Sequence, residues 1–387
     1  MPKKLILTKI FEMNIHQTIT TEPQIITKNK ENYVLIPTEN GELLSIDKKG
    51  NLNWKFDTKE ETNEIEKLFV DTKTGHGINS KPLLTTTNDK TNIIFGNENG
   101  TVYSLTDNGE LNWTYKTESA IRSSPTYKDK KIVIGSTDKY IYILDEQGKL
   151  IAKYITSEKI EASPILLKDE IIICTSEGNV INLSKNGTTN WTYKTKNKII
   201  SNPIIFNQNQ IIVCSTDNNV YCLDLKGNLN WKFETKGSIY AEPEIGDIDE
   251  DKLTEIIIGS TDNNTYILSD KGIEKWNFAT NFWVVAQPKI FEIDQKKYLA
   301  IPSYDGNIYI INGTGEYNYE YIPGISGIVM QESNFSEIPT KDPGKIQGKI
   351  LYKENTGDLI TGITIKNKYL AATTKKGKVI LYEIKKT

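Results

Sequence analysis

One short motif, a glycine followed four residues later by a tryptophan, recurs along the chain and constrains the fold more than any other feature. The octapeptide KGNLNWKF, which contains this motif, stands at 49–56 and again at 226–233. The intact copies are Gly50/Trp54, Gly109/Trp113, Gly187/Trp191, Gly227/Trp231 and Gly272/Trp276. Two further glycines keep the offset with another residue, in the pairs Gly148/Ala152 and Gly315/Tyr319. A repeat of about 40 residues is typical of propeller blades and other arrays.

Prolines give the repeat a second marker. One proline follows the tryptophan position by twelve residues in successive units, as Pro125, Pro164, Pro203, Pro243 and Pro288. After each proline come an apolar run, a polar tetrad and a second apolar run, which together with the tryptophan segment indicate four short strands. Such a sheet cannot bury both faces alone, so neighbours must stack. We therefore predict an all-β, eight-bladed β-propeller that forms a single domain over 1–387.

The eighth unit ends at the C-terminus without an outer strand of its own. Phe11 precedes Pro23 by twelve residues, which is the offset of tryptophan to proline elsewhere. We therefore expect the segment around Phe11 to be the outer strand of the last blade. This pairing of the N-terminal strand with the last blade would close the ring and cover an otherwise unpaired edge.

The repeat resembles that of a known superfamily. The segments YSLTDNGELNWTY and YCLDLKGNLNWKF are similar to the tryptophan-docking repeat of the pyrroloquinoline-quinone (PQQ)-like β-propellers. That superfamily includes quinoprotein alcohol dehydrogenases and BamB-type outer-membrane assembly lipoproteins. The resemblance covers essentially the whole chain and implies the fold. It implies no single activity, because the motif residues are packing residues and propellers host unrelated functions.

The sixth unit is longer than the others and contains the acidic segment GDIDEDKLTEIIIGS. This segment resembles the calcium loop of FG-GAP/integrin-type propeller repeats. Oxygen atoms from carboxylates and carbonyls are the ligands that Ca²⁺ prefers. The ligands that the resemblance implies are the side chains of Asp247, Asp249, Asp251 and Glu255 and the carbonyl of Leu253. Lys252 stands where that family has glycine, so a reduced affinity is expected. The alternative is a solvated acidic hairpin turn.

Two segments lengthen the connections between units, at about 58–78 and 323–360. We assign both to connections from an outer strand to the next inner strand. Both should then project from one face, opposite the calcium loop. Because loops on a rigid scaffold often carry binding residues, the apolar residues of the second segment are candidates for partner binding. These candidates are Ile325, Ile328, Met330 and Phe335. The alternative is that they fold back on the blade beneath.

Trp283 lies off the repeat pattern and is a further candidate for binding a partner or stacking on a sugar; burial between blades is the alternative. Enzyme chemistry is not favoured. The only histidines are His16 and His76, which do not form a zinc-ligating pair, and no vicinal cysteine pair of the PQQ-dehydrogenase kind exists. The residues before the inner prolines, such as Arg122 and Glu161, form no convergent charged ring.

The expected function is therefore a non-catalytic scaffold for protein–protein interaction, with a structural Ca²⁺ site. The alternative is a carbohydrate-binding, lectin-like propeller, and a PQQ-dependent dehydrogenase is the least favoured class. Net charge is −3 and Arg122 is the single arginine, so no nucleic-acid-binding face is expected. No apolar run is long enough to span a membrane.

Compartment and assembly are expectations from weaker signals. The three cysteines, Cys174, Cys214 and Cys222, are expected to be buried thiols; a Cys214–Cys222 disulfide is the alternative. With no signal peptide visible, a cytoplasmic monomer is expected. An extracellular or cell-surface location is the alternative if the chain is an excised domain, since calcium loops of this type usually work at extracellular calcium levels.

Overall fold

The computed structural model describes residues 5–59, 75–87, 90–317 and 346–386. All regular elements in these ranges are β-strands, arranged as eight sheets of at least four strands each. The all-β, eight-bladed prediction is thereby confirmed. Within the same ranges no helix has the length and hydrophobicity that crossing a membrane requires.

The strands follow one another in chain order, and four build each blade. β1 (Leu5–Asn14) belongs to blade eight. Blade one contains β2 (Gln24–Lys28), β3 (Glu31–Pro37), β4 (Glu42–Asp47) and β5 (Leu52–Asp57). Blade two contains β6 (Leu83–Thr87), β7 (Lys90–Gly96), β8 (Thr101–Thr106) and β9 (Leu111–Lys116). Blade three contains β10 (Thr126–Lys128), β11 (Lys131–Gly135), β12 (Tyr140–Asp145) and β13 (Leu150–Ile155). Blade four contains β14 (Ile165–Leu166), β15 (Glu170–Cys174), β16 (Asn179–Ser184) and β17 (Thr189–Lys194).

The second half of the ring continues the same order. Blade five contains β18 (Ile204–Phe206), β19 (Gln210–Cys214), β20 (Asn219–Asp224) and β21 (Leu229–Glu234). Blade six contains β22 (Glu244–Gly246), β23 (Glu255–Gly259), β24 (Asn264–Leu268) and β25 (Glu274–Ala279). Blade seven contains β26 (Lys289–Ile293), β27 (Lys296–Pro302), β28 (Asn307–Asn312) and β31 (Ile350–Asn355). The short strands β29 (Glu316–Tyr317) and β30 (Ile346–Gln347) extend blade six. Blade eight is completed by β32 (Ile360–Lys366), β33 (Tyr369–Thr374) and β34 (Lys378–Lys386).

The ring closes through the two ends of the chain, as the sequence predicted. β1 pairs antiparallel with β34, and Phe11 lies opposite Leu381. Phe11 is 9% exposed and packs with residues of blades one and eight. Its side chain contacts the turn at Gly50 of blade one, where an added Cβ would lie 3.2 Å from the ring. The last blade is thereby joined to the first.

The tryptophan of one blade packs on the motif glycine of the next. In blades one, two, four and five the indole Nε1 donates a hydrogen bond to a backbone carbonyl of the neighbouring turn. The acceptors are Asp107 O for Trp54 at 3.1 Å, Glu146 O for Trp113 at 2.9 Å, Leu225 O for Trp191 at 2.9 Å and Asp270 O for Trp231 at 3.0 Å. The receiving glycines have positive φ and lie under the ring, so the repeat encodes contacts between blades.

Substitution of such a glycine should cost more than backbone strain alone. Gly109 has φ +81°, and a Cβ there would lie 2.6 Å from Trp54. We expect Gly109→Ala to lower the free energy of unfolding by about 2–4 kcal/mol, from left-handed strain together with overpacking. Gly357 is the matched control because it has φ +77° but meets only the flexible end of Lys378. Gly357→Ala should cost about 1 kcal/mol. Equal losses in urea titrations would argue against the docking role.

In two blades the docking residue differs from the one that the sequence motif aligns with tryptophan. In blade three, Ala152 holds the tryptophan position, but Tyr154 provides the docking ring and lies over Gly187. In blade seven, the assignment of Gly315/Tyr319 to the outer strand is wrong. The outer strand is β31, and Tyr352 has the register of the tryptophans elsewhere. Gly348, four residues earlier, lies against Trp276 of blade six.

The faces of the ring therefore differ from the prediction. We call the side bearing the turns at 38–41 and 137–139, between second and third strands, the top face, and the opposite side the bottom face. The first insertion joins β5 to β6 and attaches at the top face. The second joins β28 to β31 within blade seven, so its ends attach at the bottom face. The prediction that both insertions leave from one face is wrong because the second insertion precedes the outer strand of blade seven instead of following it. Strand direction alternates within a blade, so these two positions lie on opposite faces.

All three cysteines are free, buried thiols, which confirms the expectation of buried thiols and not the alternative of a Cys214–Cys222 disulfide. Burial raises the pKa of Cys222 to about 11 and raises the pKa values of Cys174 and Cys214 further. Such thiols are held in the unreactive protonated form.

Candidate functional site

The acidic segment of unit six forms the hairpin between β22 and β23, on the bottom face. Its four carboxylates converge, with one oxygen of each lying within 4.8 Å of the others; they belong to Asp247, Asp249, Asp251 and Glu255. Glu255 is 1% exposed and its Oε2 accepts the Ile248 N–H at 3.0 Å. Lys252 adopts φ +70°, the left-handed conformation that glycine favours. The hairpin thus brings together the four side chains that were predicted to be Ca²⁺ ligands.

A residue that the sequence interpretation missed lies in this cluster. The Lys275 ammonium, from β25, contacts Asp249 at 2.5 Å, Glu255 at 3.0 Å and Asp251 at 3.1 Å. Burial opposes its charge, but these hydrogen bonds outweigh burial and raise the pKa of Lys275. Burial, with help from the Asp249 charge, raises the pKa of Glu255. The ammonium therefore neutralises part of the cluster.

One feature of the cluster favours Ca²⁺ binding and another opposes it. Asp247 Oδ1 and Asp249 Oδ1 are buried oxygens with no hydrogen-bond partner among the described residues. Buried oxygens that lack a hydrogen-bond donor suit a cation. In contrast, Lys275 lies where it would compete with a metal ion for Asp249, Asp251 and Glu255. The donor set fits Ca²⁺ provided that the ammonium moves aside.

The acidic hairpin is fixed to blade seven. Lys297 Nζ donates to Asp247 O at 2.5 Å, and Gly313 comes so close to Ile248 O that a Cβ there would lie 1.9 Å away. Gly313 directly follows β28, the third strand of blade seven, on the side from which the second insertion leaves the blade. The hairpin and the described base of that insertion are therefore neighbours on the bottom face, and the expected opposition of the two is wrong.

The base of the second insertion is anchored on blade six. β30 pairs with β25 in parallel, and β29 pairs with β30 antiparallel. Gly348 N–H donates to Asn277 O at 3.2 Å. The four apolar candidates of this insertion lie outside the described residues: Ile325, Ile328, Met330 and Phe335.

The central channel contains a second polar arrangement, which we call the channel belt. It consists of the side chains directly before the inner prolines, Glu22, Lys81, Ser124, Ser163, Asn202, Glu242 and Gln287. Neighbouring blades are joined through it. Lys81 N donates to Ser124 Oγ at 2.9 Å, Ser124 N to Ser163 Oγ at 2.9 Å, and Ser163 N to Asn202 Oδ1 at 2.6 Å. A cavity of about 500 Å³ lies inside the belt.

Charges in the channel are partly paired. Glu22 accepts from both Lys81 and Lys289, and these ammonium groups outweigh burial and lower its pKa. The Arg122 guanidinium bridges Glu98 at 2.9 Å and Glu161 at 2.6 Å. Burial, with a contribution from the Glu22 charge, raises the pKa of Glu242.

Trp283 is not buried between blades. It is 43% exposed and stacks on Phe282, with ring centroids 4.9 Å apart and planes inclined by 17°. With Tyr240 and Tyr304 it lines a cavity of about 520 Å³ at the top-face end of the channel. The structure therefore leaves its ring available to a ligand.

Comparison with known sequences gives the family. The family described as "Beta-alanine-activating enzyme, beta-propeller" matches residues 61–337, more than half of the chain. The chain belongs to this propeller family. No curated protein matches its sequence.

Solved structures agree on the fold. BamB from Moraxella catarrhalis superposes with a TM-score of 0.66 at 16% identity, over 98% of this chain and 100% of that one. The computationally designed Ika8 protein superposes with a TM-score of 0.68 at 13% identity, over 97% of this chain and 99% of that one. At such identities the likeness concerns architecture alone. It supports the predicted PQQ-like, BamB-like propeller fold of this member of the β-alanine-activating enzyme propeller family.

Sequence reasoning about the channel missed the belt because it considered the second and third positions before each proline. The position immediately before proline carried a signal: it is polar in seven units, from Glu22 to Gln287. Lys275 carried no such signal, since its approach to the acidic hairpin depends on the pairing of β24 with β25.

Proposed function

We propose that this propeller is a non-catalytic scaffold for protein–protein interaction. The observation that carries the proposal is the anchored base of the second insertion. A segment whose two ends are pinned to blade six can present side chains from a rigid ring at low entropic cost. The sequence of that segment supplies apolar residues at 325, 328, 330 and 335.

Two further features support a scaffold rather than an enzyme. The inter-blade packing is closed around the ring by the docking aromatics and by β1, so loops are held in fixed positions. The three thiols are buried and protonated, and so are poor nucleophiles. The family name attaches the propeller to an activating enzyme, in keeping with an accessory role for the propeller.

The test is a pull-down with the second insertion removed. Tyr317 lies opposite Ile346, so a tight Asn-Gly turn can replace residues 318–345 without disturbing β31. We expect this variant to fold and to lose the partner that wild type captures, as identified by mass spectrometry. A matched variant keeps the segment but carries Ile325→Ser, Ile328→Ser, Met330→Ser and Phe335→Ser, and should lose the same partner. Retention of the partner by the folded deletion variant would refute the proposal.

The acidic hairpin is proposed to hold a structural Ca²⁺ ion. Asp247, Asp249, Asp251, Glu255 and the Leu253 carbonyl would be its ligands. The converging carboxylates and the two unpartnered buried oxygens support this proposal. A bound ion would neutralise the hairpin and fix it beside blade seven. No acid–base role is proposed for the site.

Carbohydrate binding is the second candidate function. It is favoured by the exposed Trp283 ring, which faces a cavity lined by Tyr240 and Tyr304. Aromatic faces of this kind stack on sugar rings. A glycan array probed with wild type and with Trp283→Ala tests it: a glycan signal that the variant lacks supports the function, and a blank array with wild type refutes it.

A further inference from the structure

The channel carries more negative than positive charge among its described side chains. Three cations lie there, on Lys81, Arg122 and Lys289. Five carboxylates accompany them, on Glu22, Glu98, Glu161, Glu242 and Glu244. The cations are committed to other partners, because Glu22 takes both lysines while Glu98 and Glu161 share the arginine.

Glu242 and Glu244 are left with neutral donors. Glu242 accepts from the Asn202 side-chain amide, and Glu244 accepts from the Gln287 amide at 3.0 Å. Neither has an ammonium or guanidinium group within ion-pair distance among the described residues. Burial raises the pKa of both Glu242 and Glu244, and it outweighs the opposing charges of Lys81 and Lys289, which lie outside ion-pair distance.

Glu242 also faces open space. It lines the cavity of about 500 Å³ together with Tyr240, which is 44% exposed. Tyr240 also lines the adjoining cavity that Trp283 borders, so the two cavities share an aromatic wall. A partly buried carboxylate beside an exposed aromatic ring is an arrangement that binds ammonium groups through an ion pair and a cation–π contact.

We propose that the channel is a binding site for a small primary amine, whose protonated amino group pairs with Glu242 and lies against Tyr240. The cavity of about 500 Å³ has ample room for such a molecule, and the net negative charge of the channel selects cations over zwitterions and anions. Glu244, two residues further along the chain at the start of β22, strengthens the negative potential behind Glu242. This site is independent of the protein-binding proposal.

Titration calorimetry at low salt tests the proposal with three probes of equal chain length. We expect 1,3-diaminopropane to bind, β-alanine to bind at least about tenfold more weakly because of its carboxylate, and propionate to give no binding heat up to about 10 mM. Absence of binding heat for the diamine with wild-type protein overturns the proposal. Equal affinity for diamine and propionate overturns it as well.

Variants locate the site. Glu242→Gln keeps the hydrogen bond to Asn202 and should weaken diamine binding by roughly 10–100-fold, the worth of a charge-assisted hydrogen bond. Glu110→Gln, which makes the same charge change at an exposed bottom-face turn, should change affinity less than about twofold. Equal effects of the two substitutions overturn the proposal.

Tyr240→Leu is an exposed change that leaves Glu242 in place and should weaken binding by roughly threefold or more. An unchanged affinity in Tyr240→Leu overturns the aromatic contact and with it the site as described.

Discussion

Lys275→Met should make the stability of the propeller depend on calcium. In wild type the ammonium compensates three carboxylates of the acidic hairpin, at 2.5–3.1 Å. Its removal leaves these charges facing one another in a partly buried site. Breaking a fully buried pair costs about 3–5 kcal/mol, and the lysine side chain is 26% exposed, so we expect a loss of about 2 kcal/mol without calcium.

Calcium should restore that loss. With its competitor gone, Ca²⁺ can take the position between Asp249, Asp251 and Glu255, and binding to the folded state alone raises stability. The measurement is the urea midpoint of Lys275→Met with EGTA and with millimolar Ca²⁺, together with calorimetry of Ca²⁺ binding. Lys271→Met, an exposed change on the same blade, should show neither the loss nor the rescue. Identical midpoints of Lys275→Met with and without Ca²⁺ would remove the calcium proposal.

Phe11→Ala should destabilise the protein by about 3 kcal/mol, the usual cost of truncating a buried phenylalanine. The ring lies between blades eight and one, on the glycine turn at Gly50. Its loss opens a cavity at the seam where the chain closes on itself. We expect a lower urea midpoint and faster amide exchange in β1 and β34, since sub-global opening begins where packing is weakest.

Ile10→Ala provides the control for this seam. Ile10 neighbours Phe11 on β1 but is 38% exposed, so its truncation should cost no more than about 0.5 kcal/mol. Comparable losses for the two substitutions would show that the seam is not held by the phenylalanine ring.

The extent to which sequence predicts this fold follows from the range of the interactions. The motif glycines and tryptophans were readable because a four-residue offset and a left-handed turn are local. Blade seven was misassigned because Gly315/Tyr319 and Gly348/Tyr352 satisfy the same offset. Only the pairing of β31 with β28, and the need of Trp276 for a glycine beneath its ring, decide between the two.

The same distinction between local and long-range interactions applies to the candidate site. The carboxylates of the acidic hairpin are close in sequence, and their convergence was predictable from loop spacing. Lys275 reaches them from another strand, and a one-dimensional pattern gives no distance across a sheet. The lack of an ion-pair partner for Glu242 was equally unpredictable, because it depends on the pairing of both Lys81 and Lys289 with Glu22.

The pairing of β1 with β34 has a consequence for biosynthesis. At about 5–20 residues per second, the ribosome needs roughly 20–70 s to travel from the segment around Phe11 to β34. During that interval the segment around Phe11 has been made while its partner strand has not. Nascent chains therefore carry an exposed apolar edge until β34 has been made, and the last blade can assemble only after β34 has left the ribosome. Chaperones that shield such edges should matter more for this protein than its finished ring suggests.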